Sequence, residues 1–338
     1  MARDDRMQAP LEISAQGSFA AGGTKIKNPG VFDVSTMKPE GQTLHGDHAY
    51  AFYQIPKDTR KLSMVFLHGN FQSKRSWEST PDGREGFQNI FLRRRFGVYL
   101  VDQPRRGEAG RASIPGEITA GCDDQMWFSI ARIGIWPDFF EGVQFPRDPE
   151  SMEQFFRLAT PDTAAFDIEI ASAGVAAVCD KAKNCILITH SKGGGTGWLT
   201  AIKSSSVKAI VAYEPISNFV FPEGETPEPE ASSFGPIAAS SIPLDDFLAL
   251  TKVPIVLYYG DNIPKMPSQN PGQDMMRAGI IVAKRWVDTV NAHGGDATMI
   301  FLPERGIFGN THSMFSDLNN LEVADLLSEW LAEKGLDR

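Results

Sequence analysis

The chain has 338 residues, 42% of them hydrophobic, and a formal net charge of −9 at pH 7, so it can bury a large core. The acidic balance, with no basic run longer than Arg93-Arg94-Arg95, argues against a nucleic-acid partner. No stretch reaches the roughly eighteen apolar residues of a membrane span, and Met1-Ala2-Arg3-Asp4-Asp5-Arg6 lacks the apolar centre of a signal peptide, so a soluble chain is expected, with periplasmic or secreted export as the alternative where a signal has been removed.

From Leu11 to Thr43 the chain is rich in glycine and β-formers without a helical period, which predicts an antiparallel entry ribbon. Ala49–Ile55 reads as a strand. The short apolar runs Leu62–Leu67 and Val98–Asp102 flank a helical pattern over Gly86–Arg95, which makes a βαβ unit. Residues 114–160 break the alternation and carry Trp127, Phe128, Trp136, Phe139, Phe140, Phe145, Phe155 and Phe156, too aromatic for a solvated linker; a cap packed on the core is expected. The pattern resumes with a helix over Ala164–Cys179, a strand over Ile186–Thr189, a helix over Gly194–Lys203 and a strand over Val207–Tyr213.

A second break, residues 215–243, is rich in Pro, Glu and Ser and is expected to be a long surface excursion. Strand Val253–Tyr259, helix Met275–Ala292, strand Ala297–Leu302 and closing helix Leu321–Glu333 follow. Apolar strands alternating with helices predict one α/β domain over residues 1–338, its mostly parallel sheet covered on both faces. Both breaks are placed to cover a site at the carboxyl ends of the strands. Cys179 and Cys185 are near enough in sequence to pair, Cys122 is left over, and no C-x-x-C metal spacing exists, so the redox compartment stays open.

The chemistry is announced by His190-Ser191-Lys192-Gly193-Gly194-Gly195, directly after the apolar strand. A serine on a sharp strand-to-helix turn projects its hydroxyl away from the backbone, and small residues behind it let the helix pack closely. Thr189 stands where G-x-S-x-G has its first glycine, and Lys192 precedes the glycines, unlike the lysine of a phosphate-binding P-loop. Such a serine needs a base and a carboxylate that orients it. Among six histidines, His45 and His48 lie in the entry region, His68 and His190 sit at turns they shape, and His293 ends a helix. His312, in the loop Gly306–His312 before the last helix, is the base candidate. For the acid there are two contenders. Glu214 directly follows an apolar strand and precedes Pro215, which position favours; Asp261 ends the next strand, with a loop-structuring role as its plainer reading. Two oxyanion donors are expected, the backbone amide of Lys192 and that of Asn70 in the turn His68-Gly69-Asn70-Phe71.

With Ser191, Glu214 and His312 in that order and a His-Gly turn after the early strand, the chain resembles the α/β-hydrolase superfamily over nearly its whole length. It is most similar to atypical bacterial carboxylesterases of the Alcaligenes esterase type, through Trp77–Arg84, Val101-Asp102-Gln103, Gly107, Tyr213-Glu214-Pro215, Tyr259-Gly260-Asp261, Gly309–His312 and Asp317–Leu321. That branch uses a glutamate after the sixth strand as its acid, which raises Glu214 above Asp261. The resemblance implies a serine carboxylesterase acting through an acyl-enzyme, with no metal or organic cofactor, a capped pocket and a homodimer. Where that branch carries adjacent cysteines at the oxyanion turn, this chain has Asn70-Phe71, so the pocket entrance differs in shape and redox sensitivity. Cap aromatics favour a small, partly apolar ester as the partner. A lactonase or other narrow-substrate hydrolase using the same triad, and a non-catalytic binding protein on the same scaffold, are the rival readings.

Overall fold

Eight strands build the central sheet in a computed structural model that describes residues 10–338: β1 (Ile13–Ala21), β2 (Ala49–Pro56), β3 (Ser63–Leu67), β4 (Gly97–Asp102), β5 (Cys185–His190), β6 (Val207–Tyr213), β7 (Pro254–Tyr259) and β8 (Asp296–Phe301). The amino-terminal hexapeptide weighed above lies outside the described residues. The sheet order is β1-β2-β4-β3-β5-β6-β7-β8. β1 and β2 are antiparallel to their neighbours, and every pair from β4 to β8 is parallel. All six residues of β5 are buried. A strand covered on both faces reads as an unbroken apolar run, which is how the central strands announced themselves.

Among the described residues, seven helices of seven residues or more flank or cover the sheet, α1 (Phe87–Arg93), α2 (Asp124–Ile130), α3 (Pro149–Phe156), α4 (Ile168–Ala182), α5 (Gly193–Lys203), α6 (Pro271–Ala292) and α7 (Asn320–Glu333), with a single helical turn at Leu244–Phe247 besides. Their starts are chemically marked. Asp148, Asp167 and Asn270 accept hydrogen bonds from the first-turn amides of α3, α4 and α6, and Pro149 and Pro271 occupy first-turn positions that need no donor. The side chains of each strand alternate between two cores. Leu187, Ile210 and Leu257 face α4, α5 and α6, where Trp198 and Trp286 pack with ring centroids 4.3 Å apart. Ile188, Val211 and Tyr258 face α1 and α7 through Phe87, Phe91, Leu327 and Leu331.

The two breaks in the alternation behave differently. Residues 114–160 hold a small apolar cluster of their own, built on Phe128, Ile133, Val143, Phe145 and Met152. This segment is tied to the loop before α7 by main-chain bonds: His312 N to Ala131 O at 2.8 Å, Gln144 N to Gly309 O at 2.8 Å and Leu318 N to Gln144 O at 2.7 Å. The segment 215–243 departs from the surface excursion expected of it. Phe219, Val220 and Phe221 are buried, Val220–Pro222 pairs in parallel with Ser240–Ile242, and the Trp286 indole N–H donates to the Val220 carbonyl at 2.9 Å. Residues 223–236 are largely exposed, and beyond the buried Ile237 residues 238–243 are exposed or half-buried. The entry ribbon is also split, because β1 pairs with β2 while Thr24–Lys27 pairs with Thr43–Gly46. Cys179 and Cys185 are buried free thiols and Cys122 is an exposed one.

Candidate active site

Ser191 follows the last residue of β5 and takes a left-handed backbone, φ +52°. Its amide donates to the Tyr213 carbonyl at 2.9 Å, and its carbonyl accepts from Gly194 N at 2.9 Å, so the turn is fixed on both sides. Strain of this kind in a non-glycine residue persists only where the surroundings over-determine it. The glycines behind the serine answer a packing need. A Cβ on Gly193 would stand 2.5 Å from the His68 carbonyl oxygen, and one on Gly195 would stand 2.3 Å from Asn218 Cβ. Gly195→Ala is therefore expected to cost about 1–3 kcal/mol through overpacking. A thermal melt reads this, and an unchanged Tm would contradict it.

Glu214 follows β6 in the same way, with φ +47° and its amide donating to the Tyr258 carbonyl at 2.9 Å. His312 arrives on a loop shaped by two acids. Asp317 accepts from Thr311 N and Thr311 Oγ1, both at 2.7 Å, and from Asn310 Nδ2 at 3.0 Å; Asp261 Oδ2 accepts from Gly309 N at 2.8 Å. Burial raises the Asp317 carboxyl to about 7 despite those three donors. Asp261 thus has the loop-structuring place given as its plainer reading.

These loops bring three side chains into one chain of hydrogen bonds. His312 Nε2 lies 2.9 Å from Ser191 Oγ, and His312 Nδ1–H donates to Glu214 Oε2 at 2.5 Å. With Nδ1 carrying its proton toward Glu214, Nε2 is left to accept from the serine hydroxyl. Glu214 is fully buried, whereas Ser191 and His312 keep 6% and 7% exposure on the side of a cavity.

Behind the glutamate stands a residue that the sequence did not single out. Arg132, fully buried, hydrogen-bonds Glu214 Oε1 through Nη2 and donates from Nε to the Asp261 carbonyl at 2.9 Å. Gly260 N adds a bond to the same Glu214 oxygen at 2.7 Å. Burial alone would raise the Glu214 carboxyl; Arg132 and His312 outweigh it and bring it down to about 2. Glu214 is therefore a carboxylate with one oxygen held by the scaffold and the other committed to His312. No motif flags an arginine whose partner lies 82 positions away. Its sequence neighbours, aromatic and apolar, were the only local signal.

Asn70 and Lys192 line the same cavity, and among the described residues the main-chain N–H of neither donates to a protein acceptor. Phe71 holds φ +54°, and its carbonyl is turned to accept from Thr160 N at 2.9 Å. The Lys192 side chain lies with its ammonium 3.8 Å from the Phe166 ring centroid, and burial lowers its pKa. His190 is buried between Gln72 and the His312 carbonyl, which its Nε2 reaches at 2.9 Å. His293 caps the end of α6. His45 and His48 are in the entry region, away from the cavity. The cavity holds about 400 Å³ and is walled by Phe71, Trp127, Phe155, Phe156, Ile216 and Met275, with Phe234 at its side. Phe71 and Trp127 pack with centroids 4.9 Å apart. Among the described residues, no group of three or more His, Cys, Asp or Glu side chains is arranged to hold a metal ion.

The sequence model of the Alpha/beta hydrolase family matches residues 64–325, which span β3 to α7 and contain every site residue above. The chain belongs to the α/β-hydrolase family. A solved structure described as a novel bacterial esterase superposes on this hydrolase with a TM-score of 0.76 at 28% identity, covering 96% of this chain and 98% of that one. A protein described as the probable secreted lipase phiG, from a fungal species, is 26% identical over 313 residues, 84% of this chain and 86% of that one. The order of strands in the hydrolase sheet explains the site. β3, β5, β6 and β7 are adjacent, so the loops that leave their carboxyl ends meet over one spot. Among the described residues, no helix of this hydrolase is long and apolar enough to cross a membrane.

Proposed function

We propose that this hydrolase cleaves a carboxylic ester through an acyl-enzyme on Ser191. The observation that carries the reading is the unbroken chain from Ser191 Oγ through His312 to a buried, ionised Glu214, opening onto an aromatic cavity. The descriptions of the two relatives, an esterase and a lipase, support it. In the proposed reaction Ser191 Oγ attacks the ester carbonyl carbon while His312 Nε2 takes the hydroxyl proton, and the carbonyl electron pair moves onto oxygen as an oxyanion facing the Asn70 and Lys192 amides. When the oxyanion collapses, the bond to the alcohol oxygen breaks and His312 returns the proton to that oxygen. Water then enters and attacks the acyl carbon while giving a proton to His312; as that second oxyanion collapses, the bond to Ser191 Oγ breaks, His312 returns the proton to Oγ, and the acid leaves. Residues 114–160 act as a cap, since α2 and α3 supply Trp127, Phe155 and Phe156 to the cavity wall.

A cavity of about 400 Å³ with mostly apolar walls suits a short to medium acyl chain or a single aryl group. Across p-nitrophenyl esters from acetate to octanoate, kcat/KM is expected to rise to an intermediate chain length and then fall as the cavity fills. Absence of turnover across the series would contradict the reading, and a flat profile would contradict the role given to the cavity.

A further inference from the structure

Arg106 is as buried as Arg132 but serves the other half of the site, with 1% exposure and a doubly bonded partner: Nε reaches Asp162 Oδ1 at 2.7 Å and Nη2 the same oxygen at 2.5 Å. Its remaining arm, Nη1, donates to two carbonyls of the turn after β3, Gly69 O and Gln72 O, each at 3.2 Å. The Gly69 carbonyl receives a second donor. His68 Nδ1 lies 2.9 Å from it, while Gln103 N faces His68 Nε2 at 3.4 Å, so the geometry sets the tautomer with the proton on Nδ1. Burial, and after it the Arg106 charge, hold His68 down to about 3, which keeps the ring neutral in that tautomer.

The Gly69 carbonyl and the Asn70 N–H belong to one peptide group. Two donors on the oxygen, one of them a full cation in a desolvated place, draw electron density toward it and make the N–H a stronger donor. We propose that Arg106, seconded by His68, is a positioning residue of the oxyanion site, which orients and polarises the Gly69–Asn70 peptide so that the Asn70 amide binds the transition state more tightly than the substrate. The inference rests on the esterase reading above. It goes beyond it in assigning a role to an arginine that touches neither substrate nor triad.

The discriminating experiment compares native protein, Arg106→Met and Arg106→Lys by three readouts: kcat and KM on p-nitrophenyl butyrate, affinity for an alkyl trifluoromethyl ketone, and affinity for the corresponding alkyl amide. The ketone forms a hemiketal oxyanion on the serine and reports the transition state, whereas the amide reports ground-state fit. Arg106→Met is expected to lower kcat by roughly 10- to 100-fold with KM changed less than about 3-fold, and to weaken the ketone by the same factor as kcat while sparing the amide. Arg106→Lys keeps the charge but loses the fork, and is expected to fall between the two; it supplies the test if the methionine variant does not fold. Equal weakening of ketone and amide in whichever variant folds, or an unchanged kcat, would overturn the relay. A native protein that neither turns over the ester nor binds the ketone would instead overturn the esterase reading, and the relay with it.

Discussion

Ser191→Ala, His312→Ala and the double variant are expected to lose the same activity, on the order of 10⁵- to 10⁶-fold in kcat on an ester substrate, because the two groups act as one unit. The reason is in the geometry. The serine hydroxyl is a weak nucleophile until its proton has somewhere to go, and His312 Nε2, 2.9 Å away, is the only base within reach among the described residues. Remove either, and the other has no partner for the step. Residual catalysis is then expected from the proposed oxyanion donors, Asn70 and Lys192, and from the cavity. Steady-state kinetics on the three variants checks this. A double variant reduced by the product of the single effects would show two independent contributions and contradict a shared proton transfer. Glu214→Gln belongs to the same series with a smaller loss, on the order of 10⁴-fold, since an amide no longer selects the tautomer with Nδ1–H.

The second large effect is structural. Arg132→Met is expected to destabilise the fold by about 3–5 kcal/mol, a fall in Tm of roughly 5–15 °C, because it leaves Glu214 fully buried without its counter-charge. The sign with pH follows from the direction of the Glu214 shift. Its carboxyl sits at about 2 in the fold against an ordinary 4.5, so its favourable contribution is present above about 4.5 and is lost as pH falls through about 2. Without Arg132, burial dominates and the carboxyl rises. The variant should therefore lose stability and activity at a higher pH than the native protein when both are taken downward from neutrality. Replacing the pair together, Arg132→Met with Glu214→Leu, should recover much of the stability while leaving the protein inactive, since a buried ion pair is costly to break and cheap to replace by apolar groups. Melts between pH 4 and 8 decide the matter. An Arg132→Met variant as stable as the native chain would show that the guanidinium is dispensable to Glu214.

Much of this arrangement was visible in the chain itself, and the parts that were not share a cause. β3, β4, β5, β6 and β7 are largely apolar runs, with Lys208 of β6 the exposed exception, because most of both their faces is covered, and that pattern does not depend on distant residues. Ser191 stands out because a strand, a serine and three glycines in succession have few other uses. His312 stands out by its place in the loop between the last strand and the last helix. Between Glu214 and Asp261 the residues alone left a choice. In the structure Glu214 reaches His312 while Asp261 turns to Gly309, and this contact is what supports the choice of Glu214.

Arg132 and Arg106 were illegible for a different reason. Each is an ordinary charged residue until its partners, Glu214 for one and Gly69 and Asp162 for the other, are brought to it from remote parts of the chain. Charge pairing across a tertiary contact leaves no period and no spacing to read. The burial of Phe219–Phe221 was hidden by averaging: three apolar residues at the head of a segment otherwise rich in Pro, Glu and Ser are outvoted in any composition window, yet they pack beside Trp286.

Intact-mass and peptide mass spectrometry of the native protein after brief exposure to an alkyl fluorophosphonate tests the central claim most directly. A single adduct located at Ser191, formed rapidly by the native protein and at a rate lowered by orders of magnitude in His312→Ala, is the predicted result. An unmodified Ser191, an adduct at another residue, or a labelling rate indifferent to His312 would contradict it.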